Sequence, residues 1–275
     1  MKNALSGYLT EREEPAWTRW LLLLFVPLAG LYWVAAWGHS NTFNTTHEAS
    51  RKNDQNVYIK LAQDLKHLDY KVRTPRQRTP GYSHLLSVFY SDKLDPTPEL
   101  DGDEHYSMRW FHRCRALGIW ISIACLIGLY FFFRRFLPRV ESAFLVSAIA
   151  CLLYVFRSGY TQPEVLYWSL KLPLFYLMWR MLVKPTWLLA MTCGLLSATA
   201  FMVKAGIQPM LLLFVVSFGF IVAWVWLRER GSFRPYLLRA RQGSLGARLD
   251  LAVLSPYFLY SFKQFGKPFY SVYCE

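Results

Sequence analysis

Seven apolar segments punctuate the chain: Trp17–Trp37, Ala116–Phe133, Val140–Phe156, Val165–Val183, Pro185–Val203, Ile207–Leu227 and Leu249–Phe262. A helix that spans a bilayer needs ~20 residues, within a range of about 17–25. The first six meet that length. The seventh has 14 residues and holds Asp250 and Pro256, so it is the weakest span. Trp17–Trp37 reads as an uncleaved anchor: its apolar run is too long for a leader and no small-residue cleavage site follows it. Gly38–Arg115 is the one long polar stretch. Within it, Asp54–Leu68 places Val57, Tyr58, Leu61, Ala62, Leu65 and Leu68 on one helical face, which predicts an amphipathic helix on the membrane interface. A basic turn with two prolines, Arg73–Pro80, follows. Gly81–Ser91 predicts a second short interfacial helix, and Asp92–Asp103 an acidic loop. A helix is expected to resume near Glu104 and run into the second span.

Composition agrees with that pattern. Hydrophobic residues make up 54% of the 275 and charged residues 18%, against ~45–50% and ~25% in ordinary soluble chains. A soluble globular chain fits poorly and disorder is excluded. Eleven Trp, 17 Tyr and 20 Phe suit the aromatic belts of membrane helices. The formal net charge is +13, and its distribution follows topology. With the N-terminus cytoplasmic, 14 Lys and Arg fall on the inner side and 4 in the short outer loops, as the positive-inside rule requires. The Arg-rich stretch Arg228–Arg248 then reads as a cytoplasmic loop, and no nucleic-acid partner is expected. The expected fold is all-α: a polytopic membrane helix bundle of about seven transmembrane helices in one domain, 1–275. Residues 38–115 form an extracytoplasmic first loop carrying interfacial helices. Cys125, Cys151 and Cys193 read as small core residues. Cys114 and Cys274 share the outer side, and sequence leaves open whether they pair. The Asn44-Thr45-Thr46 sequon faces the same side.

The order of these pieces resembles a known family. Asn53-Asp54-Gln55-Asn56-Val57-Tyr58, with Ala62, follows the first membrane helix, and Arg78-Thr79-Pro80-Gly81-Tyr82 comes next. This is similar to the GT-C superfamily of membrane glycosyltransferases, in the branch of the protein O-mannosyltransferases and the lipid A aminoarabinose transferase. Gln162-Pro163-Glu164 opens a helix from the outside where the family often has an acidic residue. Lys204-Ala205-Gly206-Ile207-Gln208-Pro209 matches a place where many members have Arg followed by Pro. Pro256–Tyr270, with Phe265-Gly266-Lys267-Pro268-Phe269, resembles the end of a later family helix. Ser83 replaces the proline that usually follows the Gly-Tyr pair. Family members carry more membrane helices beyond this point, so a truncated member or fragment is one expectation.

The resemblance implies transfer of a sugar from a polyprenyl-phosphate donor to a lipid, glycan or protein acceptor at the extracytoplasmic face, with inversion. Such transfer needs a base for the acceptor hydroxyl, cations for the departing lipid phosphate and an apolar groove for the isoprenoid chain. Asp54 is the candidate base; the same residue also suits a helix N-cap. Arg76, Arg78 and Lys204, with Tyr58 and Tyr82, are the candidate donor and lipid-phosphate residues. The plain alternatives are a solvated basic loop for the arginines and snorkelling for Lys204. Glu164 is a second candidate catalytic carboxylate. Lys171 lies two helical turns further on, roughly 10 Å deeper, where a charge is expected to face a partner or cavity inside the bundle. Asp101-Gly102-Asp103-Glu104-His105 has metal-binding residue types but equally suits a helix N-terminal dipole. No cofactor or metal site is assigned, and divalent-metal dependence stays open. A bacterial plasma membrane is the expected location, or the endoplasmic reticulum in a eukaryote. Two rival readings are a non-catalytic membrane scaffold and a transporter.

Overall fold

The computed structural model describes residues 16–43, 55–67, 69, 79–94, 107–184, 186–228, 255 and 259. All regular structure among them is helical, without a strand. A 3-10 turn, Ala16–Trp20, leads into α1 (Leu21–Phe43). Then come α2 (Gln55–His67), α3 (Gly81–Ser87), α4 (Met108–Phe133) and α5 (Arg139–Ile149). A π turn, Ala150–Tyr154, carries α5 into α6 (Val155–Ser158). The chain continues as α7 (Glu164–Val183), α8 (Trp187–Val203), a 3-10 turn at Ala205–Ile207 and α9 (Gln208–Arg228).

Three stretches among the described residues are long and apolar enough to cross a membrane: Leu23–Phe43, Met108–Phe133 and Arg139–Ser158. That is fewer than the six segments the sequence pattern admits. In α7, Glu164, Lys171 and Arg180 interrupt the apolar run. Helix α8 has 17 residues, which at ~1.5 Å per residue is about 25 Å against a hydrocarbon core of ~30 Å. Of Leu249–Phe262, only Ser255 and Leu259 are described. The exposed surface is compatible with a membrane protein. Helix α1 exposes Leu23, Leu24, Val26, Leu31 and Val34, Val26 to 75%. Leaving such a side chain in water forgoes about 1.5–3 kcal/mol of burial, whereas hydrocarbon imposes no such penalty.

The polar ends of two spanning helices reach into the stretch read as loop. Helix α1 runs on to Phe43, and α4 begins at Met108 rather than near Glu104. Ser107 starts α4 by accepting the Trp110 N–H at 3.1 Å, which satisfies one of the orphan donors of a helix start.

The chain forms two compact units. The first comprises Met1–Gln63 and Phe89–Ser169. Its core joins Tyr32 and Ala36 of α1, Ile119, Ile123 and Tyr130 of α4, and Val146 of α5. Two hydroxyl pairs thread this apolar interior: Tyr32 with Ser122 at 2.8 Å, and Tyr154 with Ser169 at 2.7 Å. Each serine also donates to its own helix, Ser122 to the Ile119 carbonyl and Ser169 to that of Val165. Buried hydroxyls need such partners in a medium that offers no water. Gly118 lets α4 approach the end of α6: a Cβ there would sit 2.5 Å from the Ser158 carbonyl oxygen. Beside the π turn, Phe25, Ala29, Tyr32, Ile123, Val146 and Cys151 help line an apolar cavity of about 320 Å³.

The second unit comprises Asp64–Val88 and Leu170–Glu275. Here α3 packs on α8. Helix α8 buries Cys193, Gly194, Ser197, Ala198 and Phe201 and exposes Leu188 and Leu195. That separation follows the helical repeat, with small residues lining the packed face.

Candidate functional site

The candidate residues fall into both units and cluster at two places. In the first unit, the start of α2 meets the turn before α7. Gln55, fully buried, accepts the Thr161 N–H through its side-chain oxygen at 2.9 Å. Thr161 is itself fully buried. The turn is built by the Tyr160 N–H donating to the Arg157 carbonyl and the Gln162 N–H to that of Tyr160. Pro163 then starts α7: its carbonyl accepts from the Tyr167 N–H, and Glu164 is the first helical residue. An acidic group there meets the positive end of the helix dipole. Asp54, the residue before Gln55 in the chain, lies outside the described residues. Tyr58, one turn further along α2, is 5% exposed and belongs to the buried face with Ile59, Leu61, Ala62 and Leu65. Much of the apolar face of α2 is thus buried, Tyr58 included.

In the second unit, α3 meets the end of α8. A Cβ on Gly81 would lie 2.6 Å from the Met202 carbonyl oxygen, so two backbones touch where only glycine fits. Tyr82 is 2% exposed. His84 closes the first turn of α3 through Nδ1 and the Pro80 carbonyl at 2.9 Å. Lys204 stands two residues past Met202. It ends α8 with extended backbone, φ −158° and ψ 123°, while its N–H still donates to the Ala200 carbonyl. The chain then re-enters helix through Ala205–Ile207, and Pro209 sits in the first turn of α9, where a missing N–H is harmless. Lys204 is half-buried at this break between two apolar helices. Arg76 and Arg78 lie outside the described residues, as do Asp101–His105, the sequon and Cys274.

Lys171 departs from expectation: it is exposed rather than enclosed in the bundle. The buried row on this part of α7 is Leu174, Met178 and Met181. Lys171 extends that row by three residues but stands beyond its covered part, next to exposed Leu172. Glu164 and Lys171 also belong to different units.

Sequence reasoning passed over Arg115. It ends the polar stretch Gly38–Arg115 in the sequence, yet it is 1% exposed and lies inside α4. Its Nε donates to the Ser40 hydroxyl at 2.8 Å, and its two terminal nitrogens donate to Asn41 Oδ1 at 2.7 Å and His112 Nδ1 at 3.3 Å. The guanidinium also lies 4.6 Å from the Trp37 ring centre, a cation–π contact. The available signal was its position directly before an apolar run of 18 residues, with His112 one turn earlier. A charge so placed begins a span and must find partners on neighbouring helices.

Among the described residues, no group of three or more His, Cys, Asp or Glu is placed to hold a metal ion. Cys125 and Cys151 are free thiols. The chain matches no protein-family model, no curated protein and no solved structure.

Proposed function

We propose that the protein is a multi-pass membrane glycosyltransferase of GT-C type, with its N-terminus in the cytoplasm. It moves a sugar from a polyprenyl-phosphate donor to an acceptor at the extracytoplasmic face. The observation that carries this reading is the hydrogen bond from the Thr161 N–H to Gln55. It ties the start of an amphipathic helix to the turn that opens α7. Asp54 precedes Gln55 by one residue and Glu164 follows Thr161 by three, so one joint gathers the chain neighbourhoods of both candidate carboxylates. In this mechanism Asp54 takes the proton from the acceptor hydroxyl as the sugar–phosphate bond breaks. Glu164 shapes the pocket beside it. Arg76, Arg78 and Lys204 neutralise the phosphate left on the lipid, and inversion follows from a single displacement. The apolar cavity of about 320 Å³ in the first unit fits the requirement for a site that accepts an isoprenoid segment. Of its α1 lining residues, Ala35 comes nearest Ser40, five residues away or about 7.5 Å along the axis.

The test is transfer of radiolabelled sugar from a panel of polyprenyl-phosphate sugars in membranes containing this chain, beside Asp54→Asn. The expected result is transfer by the parent and a loss of at least ~10²-fold in the variant, the usual contribution of a positioned base. Equal transfer by both removes Asp54 from catalysis. No transfer by either chain, with expression shown, overturns the assignment and favours a scaffold.

A further inference from the structure

The first unit contains a relay of polar contacts that no apolar packing requires. Arg115 on α4 donates to the Ser40 hydroxyl on α1 at 2.8 Å, and that hydroxyl donates to the Gly159 carbonyl at 2.9 Å. All three groups are buried, with Arg115 at 1% and Ser40 at 0% exposure. Gly159 is held close: a Cβ there would lie 2.4 Å from Ser40 Cβ. The Ser158 carbonyl presses on α4 at Gly118. Two residues later the same turn donates from Thr161 to Gln55. The turn is therefore held on three sides, by α1, α4 and α2.

The guanidinium is an expensive way to make this joint. Among the described residues its partners are a hydroxyl, an amide oxygen, an imidazole and aromatic faces, all uncharged. Burying a cation without an opposite charge opposes folding, so an apolar residue of like size would serve packing alone better. What the side chain supplies is a donor aimed at the Ser40 hydroxyl, held in place by its contacts to Asn41 and His112. We infer that Arg115 is a positioning residue. Through Ser40 it sets the 159–161 turn, and through that turn it holds the first turn of α2 against the start of α7. The inference deepens the proposed transfer reaction by naming what aligns its outer-face carboxylates, and to that extent rests on it.

The test uses the full chain with its five cysteines replaced by alanine and spin labels placed at Asn56→Cys and Gln162→Cys. Dipolar spectroscopy in lipid nanodiscs then reads the distance between them without any substrate. The parent is expected to give one narrow distance peak. Arg115→Lys, which keeps a donor for Ser40 but not the fork, is expected to keep that peak. Arg115→Met, of similar length and no donor, is expected to lose it. A narrow peak in Arg115→Met, or equal loss in the Lys and Met variants, overturns the inference, the second by leaving Arg115 a packing role only. Should Arg115→Met fail to fold, Ser40→Ala removes only the relay hydroxyl, and an unchanged peak there is equally fatal. In the transfer assay, Ser40→Ala is expected to lower kcat with the donor KM unchanged. A rise in KM alone would make the residue part of donor binding instead. Since the spectroscopy needs no turnover, failure of the transferase reading leaves the positioning result standing.

Discussion

Two joints connect short polar-loop helices to apolar ones, and they are made differently. At the start of α2 the joint is a hydrogen bond: buried Gln55 receives the N–H of buried Thr161. At the start of α3 the joint is an absence: Gly81 has no side chain, so its backbone reaches the Met202 carbonyl. The first depends on a donor and acceptor facing each other, which one atom can undo. The second depends on volume, which any added carbon violates. Both sit beside candidate site residues, Glu164 in one unit and Lys204 in the other.

The contrast can be broken by substitution. Gly81→Leu should have the largest effect, about 3 kcal/mol or more, because the Met202 carbonyl it would strike is backbone and cannot rotate aside; denaturant unfolding in micelles measures it. A loss below ~1 kcal/mol would show that α3 can slide on α8. Gln55→Ala should cost about 2 kcal/mol, since it strands a buried N–H. Amide hydrogen exchange at Thr161 should rise in that variant, and unchanged protection would mean another acceptor takes over. Tyr154→Phe, which removes the 2.7 Å bond to Ser169, should cost about 1 kcal/mol, read in the same unfolding experiment. Lys171→Gln should be the mildest, within ~0.5 kcal/mol, because the side chain is exposed. A large loss there would restore the buried role first expected for that lysine.

The pattern of apolar and polar residues located the helices well. Val165–Val183, Pro185–Val203 and Ile207–Leu227 differ from α7, α8 and α9 by one or two residues at their starts. The amphipathic stretch Asp54–Leu68 became α2 with its apolar face buried. These features are local: a 3.6-residue repeat and a run of apolar side chains are written in neighbouring positions. Seven spans were harder to read than seven apolar segments: among the described residues, three stretches are long and apolar enough to cross a membrane.

Sequence by itself determined that the chain is helical, rich in membrane-compatible segments, and equipped with one polar stretch near its front. It also singled out Gly81-Tyr82, Glu164 and Lys204 at the ends of helices. Only the tertiary structure decided that Gln55 meets Thr161 across 106 positions, that Arg115 is interior, and that Lys171 is not. Partnership over such separations has no periodic trace. It is set by which helix ends are adjacent, and by the rule that a buried donor or charge takes whatever partner the fold brings within reach.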